Sequence, residues 1–151
     1  MHVALGSLLS GCCRIVRGIN ELHRSYKYMP TTLASMVATC NITKITLTQV
    51  DSILRKGFEI DGYSSAEFLE QFEGINRGCT ITLSLLEKYV TDLLEIDGSD
   101  VPLMAQKTLR WEKLKALYNE SDTKELLGQL QDHNALLNTI LNVLQRYDNN
   151  E

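Results

Sequence analysis

Proline and long apolar runs are nearly missing from this sequence of 151 residues. The chain has two prolines and nine glycines, which are too few turn-forming residues for a fold of many short strands. No apolar run approaches the roughly 18 residues that a membrane-spanning helix needs. The hydrophobic fraction of 44% and charged fraction of 23% are ordinary for a globular chain and exclude wholesale disorder. We therefore expect a soluble protein, or at most one that is peripheral to a membrane.

Sequence motifs that carry catalytic chemistry are also absent. No glycine-rich phosphate loop, no G-x-S-x-G turn and no H-E-x-x-H motif occurs. The histidines at positions 2, 23 and 133 have no ligand spacing for zinc, and there is no Cys-x-x-Cys pair. His133 falls within an apolar stripe, so we interpret it as a core or boundary histidine rather than a ligand. The sequence predicts a non-enzymatic protein with no cofactor and no metal.

The cysteines indicate a reducing compartment. They are Cys12, Cys13, Cys40 and Cys79. Their spacing suits no small disulfide framework, and a chain of this length does not need one to fold. All except Cys13 fall on apolar helical stripes, where a reduced cysteine acts as a small hydrophobe. We predict four reduced thiols, three of them buried, in a cytoplasmic protein.

Charge is unevenly spread along the chain. The net charge is −4 and the isoelectric point is near 5.4, which argues against a nucleic-acid partner. Residues 1–56 carry seven Lys or Arg against two Asp or Glu, residues 57–98 two against nine, and residues 99–151 six against eight. A basic first part that packs beside an acidic third helix explains this pattern. The alternative is a basic face reserved for anionic lipid or an acidic partner.

Apolar residues recur at alternating steps of three and four, the spacing of amphipathic helices. The predicted helices cover about residues 3–27, 31–56, 65–94, 103–118 and 122–147. Pro30 ends the first helix, Gly57 caps the end of the second, and Asp122 with Glu125 forms the capping pattern of the last. In the second helix, threonine and isoleucine favour strand locally, but the helical spacing continues for more than twenty residues, and we give it precedence.

These helices predict an all-α fold, specifically an antiparallel bundle of four long helices plus one short basic helix at 103–118. The bundle forms a single domain over residues 3–147, and residues 148–151 form a polar tail. Each apolar stripe needs a partner, and together the stripes bury one shared core.

The first predicted helix carries the features that bear on membrane contact. Gly6 pairs with Ser10 and Ser7 with Gly11, and such small residues permit close helix packing. No charged side chain precedes Arg14. In a soluble bundle this segment is a buried, closely packed first helix, whereas in a membrane-active bundle it is the segment released into lipid.

Several segments resemble a known family. They are residues 6–12 (GSLLSGC) with 19–22 (INEL), 75–79 (INRGC) with 83–87 (LSLLE), 111–118 (WEKLKALY), and 126–130 (LLGQL) with 136–138 (LLN). In order, they resemble the first, third, fourth and final helices of the fungal N-terminal domain found on NACHT/STAND NTPases and ankyrin proteins. The resemblance covers roughly residues 3–147. It implies a HeLo-like helical bundle with a signalling or effector role and no enzymatic residues.

We accordingly predict a non-enzymatic interaction or signalling module of the kind found at the N-terminus of fungal NLR-like proteins. The alternative is a membrane-perturbing cell-death effector that acts through its first helix. Expected partners are a protein or a second copy of the chain, with an anionic membrane surface as the further candidate and no nucleic acid. The candidate membrane or partner contacts are Leu5, Leu8, Leu9, Arg14, Arg17 and Trp111. Trp111 is either an anchor within the bundle or a partner-docking aromatic.

Overall fold

The computed structural model describes residues 2–25, 30–55, 65–97 and 118–149. These residues form four α-helices and no strand. The helices are α1 (His2–Ser25), α2 (Thr31–Arg55), α3 (Ser65–Asp97) and α4 (Glu120–Asn149). The predicted all-α fold is confirmed for this part of the chain. The predicted short basic helix lies outside the described residues, except for Tyr118, which is not helical.

The helix ends lie close to their predicted positions, with one correction. Helix α4 begins at Glu120 rather than at Asp122, so the predicted capping pattern at Asp122 is wrong. The cap is Asn119, whose side-chain oxygen accepts hydrogen bonds from the backbone amides of Ser121 at 3.1 Å and Asp122 at 3.2 Å. Asparagine satisfies the free amides of a first helical turn in this way. At its other end α4 continues to Asn149, into the segment predicted to be a polar tail.

The four helices stand at the corners of a square, in the order α1, α2, α4, α3 around it. Neighbouring helices are in contact. Among the described residues, no contact joins the diagonal pairs, which are α1 with α4 and α2 with α3. The contact between α3 and α4 is the least extensive of the four.

Helices α1 and α3 run in the same direction. The Arg14 guanidinium donates to both carboxylate oxygens of Glu87, from Nε at 2.5 Å and from Nη2 at 3.3 Å. About one turn further along both helices, Gly18 lies against Val90. Residue numbers therefore rise together along this interface. The ion pair agrees with the interpretation in which the basic first part of the chain packs beside the acidic third helix.

Further contacts fix the remaining directions. His133 Nε2 lies 3.1 Å from Thr82 Oγ1, and the Thr123 hydroxyl lies 3.2 Å from the Tyr89 hydroxyl. Residue numbers therefore fall along α4 as they rise along α3, so these helices are antiparallel. The Thr32 hydroxyl donates to Glu120 at 2.7 Å, which joins the starts of α2 and α4 in a parallel pair. The molecule is thus two antiparallel pairs, α1–α2 and α3–α4, laid side by side.

The core occupies the centre of the square. Its buried apolar residues are Leu5, Leu8, Cys12, Ile15, Ile19 and Leu22 of α1; Leu33, Met36, Cys40, Leu47, Val50 and Ile53 of α2; Phe72, Cys79, Leu83, Leu86, Val90 and Leu93 of α3; and Leu127, Leu130, Leu137, Leu141 and Leu144 of α4. Within each helix they recur at steps of three or four residues, or of seven across two turns, which is the helical spacing predicted from the sequence. Burial of these side chains supplies the main driving force for association of the helices.

Helix α2 buries threonine as well as aliphatic residues. Thr39, Thr43 and Thr46 are buried, and each hydroxyl donates to the backbone carbonyl four residues earlier at 2.8 to 3.0 Å. Because the hydroxyls are satisfied inside their own helix, they need no partner across the core. This arrangement explains how a segment with strand propensity remains helical, as its spacing predicts.

Glycines allow two close helix contacts. A Cβ on Gly18 would lie 2.5 Å from Val90 Cγ1, and one on Gly78 would lie 2.8 Å from the His133 ring at Cε1. Of the small residues noted in the first helix, a Cβ added to Gly11 would lie 4.0 Å from Leu83 Cβ, which is an ordinary van der Waals contact, and one added to Gly6 would meet nothing within 4 Å. Close packing of α1 against α3 therefore depends on Gly18.

Candidate protein-binding groove

A groove of about 480 Å³ opens between the second half of α3 and the start of α4. Its lining residues are apolar Leu85, Tyr89 and Leu126; acidic Asp92, Asp122 and Glu125; and Lys88, Asn119 and Gln129. We refer to this set as the α3/α4 groove. It lies along the interface where these two helices make the least extensive contact of the four neighbouring pairs.

The floor of the groove is held by hydrogen bonds around Tyr89. The hydroxyls of Tyr89 and Thr123 lie 3.2 Å apart, and Thr123 is fully buried and also donates to the Asn119 carbonyl at 2.6 Å. Partial burial raises the pKa of Tyr89. The Tyr118 ring packs against that of Tyr89, with centroids 6.4 Å apart. Tyr89 is therefore held in place. Its hydroxyl already has a hydrogen-bond partner, and its ring provides apolar surface to the groove.

Tyr118, whose ring packs against Tyr89, is hydrogen-bonded to Glu120 at the start of α4. The Tyr118 hydroxyl donates to Glu120, and burial together with this bond raises the pKa of Tyr118 to about 12. The bonds from Tyr118 and Thr32 lower the pKa of Glu120. The Glu120 carboxylate thus links the start of α2 to the residues that precede α4.

The rim of the groove is acidic. Asp122 and Glu125 are exposed and Asp92 is half-buried, against one lysine, Lys88. Three carboxylates and one ammonium give the lining a net negative charge at neutral pH. Negative charge beside an apolar floor attracts a cationic, partly apolar ligand.

Helices α3 and α4 carry two further large apolar side chains that are exposed. Ile81 lies one turn before Leu85 on α3, and Leu136 lies two turns after Gln129 on α4. The exposed fractions are 59% for Ile81, 48% for Leu85 and 48% for Leu136. Of these three exposed side chains, Leu85 lines the groove itself.

His133 lies on the inner side of this interface, over Gly78. One ring nitrogen faces the Thr82 hydroxyl, and the other, Nδ1, is buried without a partner among the described residues. The imidazole fills the space that a side chain at Gly78 would occupy. The predicted boundary position of His133 is confirmed, since the residue is half-buried.

The candidate contact residues of α1 do not lie on the groove. Leu5 and Leu8 are buried in the core and Leu9 packs against it. Arg14 and Arg17 are exposed, and the hydrogen bond to Glu87 raises the pKa of Arg14. Trp111 lies outside the described residues. A crevice of about 40 Å³ beside Leu8 and Arg14 has room for little more than one water molecule.

The cysteines are free, and three of them are buried as predicted. Cys12, Cys40 and Cys79 meet in the core from three helices. The hydrogen bond with Cys12 raises the pKa of Cys40, and burial raises the pKa of Cys79 to about 12. Within the described ranges, no group of His, Cys, Asp or Glu is arranged to hold a metal ion. These thiols act as core residues.

The groove is not among the features predicted from the sequence. The apolar spacing places Leu126 on a stripe, but it does not single out Leu85 or Tyr89. An available signal is the second apolar line on the third helix, where Ile81, Leu85 and Tyr89 recur at steps of four. That line lies beside the core stripe, on the side that faces α4.

No helix in the described part of the chain combines the length and apolar composition needed to cross a membrane. Comparison of the chain with models of known protein families, with curated proteins and with solved structures finds no match.

Proposed function

We propose that this chain is a non-enzymatic interaction module that receives an amphipathic, basic helix of a protein partner in the α3/α4 groove. The observation that carries the proposal is the pairing of an apolar floor with an acidic rim in one groove. Its signalling role and its kinship with the fungal N-terminal domains stay predictions from the sequence.

The shape of the groove favours a helical partner. A third helix laid between two antiparallel helices buries its apolar face, with anchors spaced at three or four residues. From Ile81 to Asp92 the apolar and acidic residues of α3 that are exposed or half-buried extend over eleven steps, or about 16 Å at the helical rise of 1.5 Å. This length matches about three turns of a partner helix. Leu85 and Leu126 supply contact from opposite sides.

The charge of the rim favours a basic partner. Lysine or arginine on the outer edges of the bound helix would face Asp92, Asp122 and Glu125. Exposed pairs of this kind contribute more to association rate and specificity than to affinity, and salt screens them. We therefore expect binding that weakens as ionic strength rises but keeps an apolar component.

A designed peptide tests the proposal without a known partner. The probe is a helical peptide of about 14 residues, or four turns, with leucine on one face and lysine on the other. A peptide with glutamate in place of lysine is the matched control. Isothermal titration should show micromolar binding for the lysine peptide, and amide chemical shifts should change along Leu85, Tyr89 and Leu126. Shifts spread over the whole acidic surface would contradict the proposal.

Charge-reversal variants test the site directly. Asp92→Lys should weaken binding of the lysine peptide by roughly tenfold, because it replaces an attraction by a repulsion at the rim. Glu73→Lys makes the same change of charge on an exposed position of α3, at about 18 Å from Leu85 along the helix. Equal losses in both variants would show that binding follows net charge and not the groove.

The membrane-perturbing alternative requires a different state of the protein. Leu5 and Leu8 are buried, so α1 would have to leave the bundle before these residues could enter lipid. We expect no co-sedimentation of the folded protein with anionic vesicles at low salt. Salt-sensitive binding that Arg14→Glu/Arg17→Glu abolishes would favour the membrane function instead, since each basic residue near such a surface contributes about 1 kcal/mol.

A further inference from the structure

Two of the buried thiols lie on neighbouring helices. Cys12 of α1 and Cys40 of α2 are both fully buried, and they belong to the same core cluster. Helices α1 and α2 are adjacent in the square and antiparallel. Neither the α3/α4 groove nor the packing of the core makes use of thiol chemistry at these two positions.

The contacts between the helices place these two cysteines at the same height in the bundle. Three of them lead from α1 to α3, from α3 to α4 and from α4 to α2: Arg14 with Glu87, Tyr89 with Thr123, and Glu120 with Thr32. Counted along the helices from these contacts, the height of Cys12 on α1 corresponds to within about one residue of Cys40 on α2. The two thiols therefore face each other across the interface of α1 with α2.

The two thiols are also hydrogen-bonded to each other. This bond lowers the pKa of Cys12 and raises the pKa of Cys40, so the Cys40 thiol is the donor and the Cys12 sulfur is the acceptor. The Lys44 ammonium, half-buried one turn after Cys40, adds a positive charge that also favours the Cys12 thiolate. Because the thiolate is the reactive form of cysteine, the pair consists of a nucleophilic sulfur with a second thiol beside it.

The remaining cysteines do not fit this arrangement. Cys79 lies on α3, four residues and about 6 Å along the helix axis before Leu83, and Leu83 lies opposite Gly11. Cys79 is therefore at least one turn away from the height of Cys12, and its helix stands diagonally across the square from α2. Cys13 is half-buried, and its side chain lies roughly 100° around α1 from that of Cys12.

We propose that Cys12 and Cys40 form a reversible disulfide when the protein meets a peroxide. The Cys12 thiolate attacks one oxygen of hydrogen peroxide, the O–O bond breaks, and the departing hydroxide takes up the proton that Cys12 has lost. The Cys40 sulfur then attacks the sulfenic acid on Cys12. The S–S bond forms, the S–O bond breaks, and the hydroxyl leaves with the Cys40 proton as water. Two thiols are oxidised, and one peroxide is reduced to two molecules of water.

The bond would tie the middle of α1 to α2. Leu5 and Leu8 are buried, and α1 would have to leave the bundle before they could enter lipid. A covalent link to α2 opposes that release, so the oxidised protein should keep α1 in place. Because the bond involves neither α3 nor α4, it leaves the α3/α4 groove open, and this proposal can fail without the failure of the proposed function.

Peptide mapping after oxidation tests the pairing. Trypsin places Cys12 in residues 1–14, Cys40 in residues 28–44 and Cys79 in residues 78–88. Because Cys13 shares the first peptide, the mapping uses Cys13→Ser protein, and the probe is hydrogen peroxide, which is hardly larger than water. We expect residues 1–14 joined to residues 28–44, with the loss of two hydrogen atoms, and separated again by dithiothreitol through thiol–disulfide exchange. A link to residues 78–88, or oxidised cysteines with no link, would overturn the proposal.

Two alanine variants separate the pair from the third buried thiol. Cys40→Ala and Cys79→Ala, each made in the Cys13→Ser protein, remove one fully buried thiol from the core, and circular dichroism checks that each variant is folded. By intact mass, Cys40→Ala should abolish the loss of two hydrogen atoms, whereas Cys79→Ala should retain it. The same result in both variants would contradict the pairing of Cys12 with Cys40.

Thermal unfolding gives a second readout. A disulfide that fits the folded geometry constrains the unfolded chain, so oxidation of the Cys13→Ser protein should raise the midpoint, and dithiothreitol should restore it. The same treatment should bring no rise when Cys40→Ala is also present. A midpoint that falls as the bond forms would show that the two sulfurs do not pair in the folded protein, and it would overturn the proposal.

Discussion

Replacement of Gly18 by alanine probes the contact between α1 and α3. The added Cβ would lie 2.5 Å from Val90 Cγ1 and 3.3 Å from Leu94 Cδ1. Valine has one strongly preferred rotamer in a helix, and Val90 is only 2% exposed, so its side chain has no free space into which to turn. The two helices must therefore separate or the core must repack.

The magnitude is the difference between two opposing effects. Alanine within a helix is about 1 kcal/mol more favourable than glycine, while overpacking of a filled core costs about 1 to 3 kcal/mol. We expect Gly18→Ala to lower the free energy of unfolding by about 1 kcal/mol. At Gly74 and Gly128 a Cβ meets nothing within 4 Å, so Gly74→Ala and Gly128→Ala should raise it by up to about 1 kcal/mol.

Urea denaturation followed by circular dichroism measures these differences, provided that the slope of the transition is the same in all variants. The three variants make the same chemical change in three helices, which separates packing from helix propensity. If Gly18→Ala stabilised the protein as much as Gly74→Ala, the close approach of α1 and α3 would be wrong.

The remaining predictions concern the core, the thiols and acid stability. Leu137→Ala should destabilise by about 2 to 5 kcal/mol, as truncation of a packed core leucine does, whereas exposed Glu70→Ala should stay within about 0.5 kcal/mol; equal values in urea denaturation would refute the core assignment. A thiol reagent added to native protein should modify Cys13 alone, and mass spectrometry that shows fast labelling of all four thiols would contradict burial of the other three. The folded-state pKa of Glu120 is lowered, so its stabilising contribution is present above the unfolded pKa of about 4.3 and is lost as the pH falls through the lowered value. Glu120→Gln should reduce this loss in acid unfolding curves.

The extent to which the sequence predicts this fold differs between its parts. The apolar spacing in α1 alone identifies Leu5, Cys12 and Ile19 as core residues, because period is a local property. The α3/α4 groove depends instead on which helices become neighbours and on how fully they close. Leu85 is exposed although it lies next to the buried Leu86, and no local pattern decides how α4 packs beside it.

The way in which the helices pack against each other also explains several features that the sequence does not predict. The basic and acidic parts of the chain predict a contact between the first and third helices, but Glu87 as the partner of Arg14 requires the parallel register of α1 and α3. Nothing in the sequence around position 18 requires a glycine there. The close approach of Val90 supplies the reason, because a Cβ at this position would lie 2.5 Å from Val90 Cγ1. Asn119 and Asp122 both suit a cap, so the choice between them follows from the backbone.

The parallel pairing of α1 with α3 has a consequence for synthesis of the chain. Arg14 and Glu87 are 73 positions apart, so the surface that covers one side of α1 is made long after α1 itself. Until the nascent chain extends past Leu94, α2 is the partner available for the apolar stripe of α1. An unfinished chain of this kind presents exposed apolar surface, which is where aggregation begins and where chaperones act. Slower translation after α2 would prolong this period, and faster translation would shorten it.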